Sequence, residues 1–311
     1  MPDIRDDRWT FDLVIAWDWE FDHELVLLLK GACATHGLRV LDITVYDLKE
    51  LLDRILSGKL HINVLLDRAS DANLAFMPLQ KWALEKGVRV INPYKVSEWA
   101  MNKATIHPKL IEAGLYVPNT VILPSYQEKY ALEQWYVDEI AKLPRPFVIK
   151  PAKGGGGEGV VKSAWTYEQV LWHRQEYAGD LYLVQEKIYP KYRYGWRCWF
   201  RAYYIFGNIE ISWWDDEILR YRTVSAHDRT DLALWKMEDI MRAIAGISKM
   251  DFFSSEIVIT QDDRFVVIDY VNDQVDMRPR SRHYDGVPDG IIRKVVENTC
   301  RFVGGYVSQL D

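Results

Sequence analysis

Between residues 11 and 92, short aliphatic and β-branched runs alternate with segments whose apolar positions recur every three or four residues. Uninterrupted apolar runs of this length predict strands buried on both faces, and the three-to-four repeat predicts helices with one packed side. The pattern predicts strands at 13–16, 39–45, 62–66 and 88–91, separated by helices at 21–36, 48–57 and 73–86. Gly37, Gly58 and Gly87 close the three helices. A βαβαβαβ order requires a parallel sheet covered by helices on both faces. Ligands of such sheets sit beyond the carboxyl ends of the strands. Two polar loops lie there, 18–22 and 67–71, which makes Asp18 and Arg68 candidate substrate contacts.

The pattern changes after Asn92 and Pro93. A helix at 97–113, closed by Gly114, carries Asn102 and Lys103. Strands are predicted at 120–123, 147–150, 160–163 and 182–185, with helices at 127–141 and 166–177. From 195 to 211 the alternation is that of a strand: Trp196, Cys198, Phe200, Ala202 and Tyr204 share one face, and Arg197, Trp199, Arg201 and Tyr203 the other. A helix at 232–245 and a hairpin pairing 256–259 with 265–269 follow, with no internal repeat or low-complexity tract. The fold class is thus α/β and α+β. A doubly wound, Rossmann-like domain spans 1–96, a small α+β lobe 97–184, and an antiparallel lobe 185–311.

Composition narrows the function. At 311 residues the chain exceeds the size at which single cores stop growing, which agrees with several lobes. Its 39 Lys and Arg against 45 Asp and Glu argue against a polyanion partner, so no nucleic acid is expected. The first ten residues lack an apolar core, and the longest aliphatic run, 25–29, cannot span a bilayer, so a cytoplasmic chain without a membrane partner is expected. Cys33, Cys198 and Cys300 are far apart and form no CxxC, so neither a disulfide framework nor a zinc site is expected and all three read as buried thiols.

Gly154, Gly155, Gly156, Gly157 and Gly159 crowd into one loop. A dinucleotide loop leads into a helix whose N-terminus holds the pyrophosphate, but this one leads into another strand. Val160 and Val161 stand where a P-loop needs Lys and Ser or Thr, and no HRD sequence follows, as a protein kinase would require. What remains is a glycine flap between antiparallel strands, with Lys150 at the end of the entering strand. Further on, Glu256 and Asp269 take comparable positions on the two hairpin strands, and Asn272 and Asp273 end the second. Carboxylates on such a hairpin are costly to bury unless paired or metal-bound, and Mg2+ takes one or two of them beside phosphate oxygens.

A lysine on a helix, a lysine at a strand end, a glycine flap, Gln185-Glu-Lys-Ile188, then two acids and an amide: this order resembles the ATP-grasp superfamily, in the branch of glutathione synthetase, D-alanine:D-alanine ligase and the ribosomal-protein glutamate ligase. Leu66-Asp-Arg68 and Ile91-Asn-Pro93 resemble stretches of the same branch, so the likeness spans nearly the whole chain. It implies an ATP-grasp fold with a leading pre-ATP-grasp domain, and ATP with Mg2+, expected as two ions with Mn2+ able to substitute. Lys103 and Lys150 would contact the phosphates under the flap, and Glu186, Lys187 and Ile188 would read adenine. Glu256 and Asp269, at the thirteen-residue spacing of the D-alanine ligase pattern, would hold metal with Asn272. Arg197 and Arg222 would face the γ-phosphate or acyl phosphate. The family pattern places the amide two residues after the second acid, whereas here one more residue intervenes. A β-bulge would return Asn272 to the site; without it Asp273 substitutes. No carboxylate follows the hinge where the family contacts ribose.

The implied activity is ADP-forming ligation of a carboxylate to an amine through an acyl phosphate, with small-molecule substrates and a homo-oligomer left open. Arg278, Arg280 or Arg282 would grip the acceptor carboxylate. Trp196, Trp199, Trp213 and Trp214 are cleft candidates, although strand aromatics more often belong to a core. The alternatives are a kinase of this fold acting on a polyol or inositol phosphate, and a nucleotide-binding regulatory protein without turnover.

Overall fold

A computed structural model describes residues 9–310; the opening stretch read above as free of an apolar leader lies almost wholly outside them. Strands β1 (Trp9–Trp17), β2 (Val40–Ile43), β3 (Leu60–Arg68) and β4 (Arg89–Ile91) form a parallel sheet in the order β2-β1-β3-β4. Helices α1 (His23–Thr35), α2 (Leu48–Leu56) and α3 (Met77–Glu85) connect them. Leu13, Val14, Ile15, Val64, Leu65 and Leu66 are almost wholly buried, because a sheet covered on both faces leaves neither residue parity in water.

The expected helix at 97–113 is two helices, α4 (Tyr94–Met101) and α5 (Lys103–Glu112). Asn102 leaves the helical region at ψ 105°, and its side chain accepts from the backbone N–H groups of Ala104 and Thr105. This cap begins a new helix and sets Lys103 at its first position. Strands β5 (Thr120–Leu123), β6 (Phe147–Pro151), β7 (Val161–Ala164) and β8 (Tyr182–Glu186) make an antiparallel sheet in the order β5-β8-β6-β7. Helices α6 (Gln134–Lys142) and α7 (Tyr167–His173) belong to the same segment, and both are shorter than the periodicity predicts.

The run at 195–211 is likewise divided. After the small hairpin β9 (Tyr192–Arg193) and β10 (Trp196–Arg197), strand β11 (Trp199–Ile205) turns at Phe206 and Gly207, both at positive φ, into β12 (Asn208–Asp215). With β13 (Arg220–Thr223), β14 (Phe252–Ile259) and β15 (Phe265–Asn272) they form a five-stranded sheet ordered β13-β12-β11-β14-β15. The alternation nevertheless assigns its faces as expected. Cys198, Phe200 and Ala202 pack into one core with α9 (Trp235–Ser248), which follows the short α8 (Ala226–Asp231). Arg197, Trp199 and Arg201 look the other way.

The longest helix, α10 (Asp289–Val307), is absent from the sequence reading. Its stripe Ile292, Val295, Val296, Cys300 and Val303 packs against α1 and β1, so the end of the chain completes the first domain. The packing sets Cys33 and Cys300 in sulfur contact at 2.7 Å, and all three thiols are buried as expected. No helix among the described residues is long and apolar enough to cross a membrane.

Candidate active site

A cleft of about 900 Å3 lies between the two antiparallel sheets. Its roof is the loop of Gly154, Gly155, Gly156 and Gly157 between β6 and β7. Gly154, Gly156, Gly157 and Gly159 have φ of 95°, 64°, 81° and 67°. Those values are open to glycine and strained for other residues. Gly159 is not part of the lining. A Cβ there would lie 2.6 Å from the Tyr177 ring, so it anchors the flap's exit against the small lobe.

Two lysines enter beneath this roof. Lys103 Nζ donates to the Gly154 carbonyl at 2.8 Å and lies 3.9 Å from Asp269 Oδ1. Lys150, only 6% exposed, donates to the Ile268 carbonyl at 3.1 Å. Burial, and then the neighbouring Lys103 charge, bring its pKa down to about 8 against the pull of Asp269 and Glu256.

The floor is the β14–β15 hairpin. Glu256 and Asp269 are direct cross-strand partners, and the register slips on both sides of that pair. On one side Ile268 falls out of the regular ladder, and its carbonyl is the one Lys150 holds. On the other, Ser254 pairs with Asn272, so Tyr270 and Val271 of β15 lie opposite Ser255 alone. This bulge is the device that turns the extra residue aside and keeps Asn272 on the cleft wall, its Nδ2 donating to Asp269 Oδ2 at 2.9 Å. Asp273 points elsewhere: it is buried and accepts from Asn92 Nδ2 at 2.6 Å, and burial raises its pKa to about 7. Glu256 accepts from Trp199 Nε1 at 2.9 Å and from Arg201. Burial raises its pKa, whereas Lys103 and Lys150 outweigh burial at Asp269 and hold that carboxylate below its ordinary range.

Among the strand arginines 197, 201 and 222, Arg197 and Arg201 line the cleft and Arg222 does not. Arg222 pairs in register with Trp213 and stacks 4.7 Å from that ring and 4.8 Å from Trp196, on the face buried by α9. The same parity divides the tryptophans, since Trp199 and Trp214 face the cleft and Trp196 and Trp213 the core. Arg201 went unrecognised as a site residue although its strand face was legible. It bridges Glu256 and lies 5.0 Å from the Trp214 ring. Arg197 is held by Asp216 at 2.6 Å and Glu217 at 3.2 Å.

At one end of the cleft, Glu186, Lys187 and Ile188 form the wall after β8. Glu186 accepts from Asn119 Nδ2 at 2.6 Å, and Lys187 donates to Ser163 Oγ at 2.7 Å. The other end is the loop after β15, which contributes Gln274, Asp276, Arg278 and Asp285. Arg68 is 3% exposed and outside the lining, its guanidinium bidentate on Asp22 at 2.6 and 2.9 Å with a further bond to the Val275 carbonyl at 3.0 Å. It therefore holds the cleft loop from behind. Asp18 is likewise remote, accepting from Asn73 at 2.8 Å, and Arg280 is turned onto the Tyr221 carbonyl at 2.5 Å.

Glu256, Asp269 and Asn272 offer hard oxygen donors, and Asp269 Oδ1 is buried without a hydrogen-bond partner. Among the described residues no three His, Cys, Asp or Glu side chains gather into a metal cage. Two carboxylates and an amide beside two lysines fit Mg2+, which completes its octahedron with phosphate and water, better than a metal needing an all-protein site.

No family model and no curated protein matches the chain. Solved structures do. A D-cycloserine synthetase, DcsG, superposes with a TM-score of 0.63 at 15% identity over 94% of this chain and 99% of that one. A RimK-domain ATP-grasp protein from Sphaerobacter thermophilus gives 0.63 at 18% over 94% and 99%. The D-alanine:D-alanine ligase of Bacillus anthracis gives 0.61 at 14% over 94% and 97%. The chain is similar in fold to each of these from end to end.

Proposed function

We propose that this chain, an ATP-grasp protein by fold, is an ATP-dependent carboxylate-amine ligase that forms ADP and an amide. The observation that carries the reading is the convergence of Lys103, Lys150, Glu256, Asp269 and Asn272 in one cleft beneath a glycine flap. Two of the similar structures are named as a synthetase and a ligase, and another D-alanine:D-alanine ligase structure is a complex with ATP.

In this reading Glu186 and the backbone of Lys187 and Ile188 hold adenine. Lys103 and Lys150 lie along the phosphates and stabilise charge spread over the transferring phosphoryl oxygens, the main contribution a protein makes to such a transfer. Glu256, Asp269 and Asn272 would hold Mg2+, which neutralises phosphate charge. The flap excludes water, so that the acyl phosphate formed by attack of the substrate carboxylate on the γ-phosphate meets the amine rather than water. Arg201 takes the place first given to Arg222, and Arg197 fixes the acidic turn at the cleft edge. The setting is cytoplasmic and the substrates are small molecules.

The kinase alternative places a substrate phosphate on the arginine-rich loop after β15. Arg278 is occupied by Asp276 and Asp285, Arg280 by the Tyr221 carbonyl and Arg282 by Glu24, so the ligase reading is preferred. A mass-spectrometric screen of carboxylates and amines with ATP and Mg2+ tests it, with Lys150→Ala as control. ADP accompanied by an amide mass supports ligation; a stable phosphorylated alcohol, or turnover that survives in Lys150→Ala, rejects it.

A further inference from the structure

The loop after β15 was expected to grip an acceptor carboxylate through its arginines. Arg278, the one of the three on the cleft wall, is already paired. A guanidinium offers a carboxylate two forked edges, Nε with Nη2 and Nη1 with Nη2. Asp276 fills the first at 3.0 and 2.8 Å, and Asp285 the second at 3.3 and 2.9 Å. Arg278 has no edge left for substrate. The other cleft arginines are also committed, Arg197 to Asp216 and Glu217 and Arg201 to Glu256.

What this end presents instead is acceptor capacity. Arg278 with Asp276 and Asp285 carries a net charge of one negative unit, and each carboxylate keeps lone pairs that Arg278 does not use. Gln274 directs its Nε2 to the Asp67 carbonyl and Asp273, leaving its Oε1 buried and without a donor. A buried acceptor of this kind costs free energy until an N–H or O–H meets it. Two carboxylates on a saturated guanidinium, with the Gln274 side chain on the same cleft wall, match a ligand group rich in N–H and positively charged.

We infer that the acceptor amine is cationic and carries no free carboxylate beside its nucleophile: Asp276, Asp285 and the Gln274 carbonyl oxygen receive an ammonium or guanidinium group, and Arg278 is a positioning residue that holds the two carboxylates apart. This rests on the ligase reading and specifies its amine.

The test uses matched amines that differ only in the carboxylate, agmatine against arginine and 1,5-diaminopentane against lysine. Each is titrated calorimetrically into the full chain loaded with Mg2+ and a non-hydrolysable ATP analogue. The decarboxylated member of each pair is expected to bind about tenfold more tightly or better, the scale of one charge-assisted hydrogen bond. Asp276→Asn and Asp285→Asn each weaken it roughly ten- to hundredfold without changing the affinity for the nucleotide. Arg278→Gln weakens both members of a pair equally, and Arg278→Lys restores part of the loss. Amino acids that bind as well as their decarboxylated partners, with Arg278→Gln abolishing amino-acid binding alone, overturn the inference, as does no binding by any of the four. Because binding is read without turnover, selective amine binding with no amide product rejects only the ligase reading.

Discussion

Arg68 and Asp22 are 3% and 2% exposed and joined by two hydrogen bonds at 2.6 and 2.9 Å. Arg68→Leu removes the cation and leaves the Asp22 carboxylate buried without its partner. Breaking one side of a buried pair costs about 3–5 kcal/mol, whereas replacing both sides by apolar groups of similar volume is close to neutral or stabilising. Arg68→Leu alone is therefore expected to lower the melting temperature by on the order of 10 °C. The double variant Asp22→Leu, Arg68→Leu recovers most of that loss. Differential scanning calorimetry of the wild type, both single variants and the double variant reads the coupling directly. Both variants of Arg68 also lose the bond to the Val275 carbonyl, so the loop bearing Gln274 and Asp276 is released and amine affinity falls in each while nucleotide affinity is kept. If Arg68→Leu melts with the wild type and loses only substrate binding, Arg68 contacts substrate and its assignment as an internal brace is wrong.

Gly159→Ala should impair turnover and stability, because a Cβ there meets the Tyr177 ring at 2.6 Å and φ is +67°, whereas Gly155→Ala, with nothing within 4 Å of its Cβ and no positive φ, should behave as wild type in the same ADP-release assay and melt. Equal behaviour of the two variants would count against the flap's geometry. His107 is buried, its Nδ1 2.6 Å from the Tyr270 hydroxyl, and burial followed by the Lys150 charge brings its pKa from 6.5 to about 4. Between those values the unfolded chain binds a proton that the folded chain does not, so stability falls as pH drops from 6.5 towards 4, by on the order of 3 kcal/mol in full. His107→Gln should lack that part of the acid loss; an unchanged profile of melting temperature against pH would contradict it.

The leading sheet was legible to within a few residues because its strands are buried on both faces and glycines close its helices, so local pattern and tertiary environment agree. The pairing of Glu256 with Asp269 was legible for a similar reason, since a hairpin fixes its own register. The break at Asn102 was not: the apolar repeat continues through it, and only the cap reveals two helices. Helix α10 was there to be read in the three-to-four spacing from Ile291 to Val303, but no motif drew attention to it. Arg201 and Arg222 show where local reading ends. The alternation along β11 already sets the face of Arg201, whereas that of Arg222 depends on the register of β13 against β12, which neither strand encodes alone. Arg68 and Arg278 look like free cations in the sequence. Their carboxylate partners, Asp22 beside one and Asp276 with Asp285 beside the other, become partners only when the chain folds. The contact of Cys33 with Cys300 is likewise created by the return of α10 to the first domain.

The central claim is that a carboxylate is activated by phosphoryl transfer and then taken by an amine. It is tested most directly by labelling both oxygens of the best carboxylate from the screen with heavy oxygen and analysing the released phosphate by mass spectrometry. An acyl phosphate requires one labelled oxygen to leave with each phosphate, in step with amide and ADP. Phosphate that stays unlabelled while amide accumulates, or AMP in place of ADP, would contradict the account.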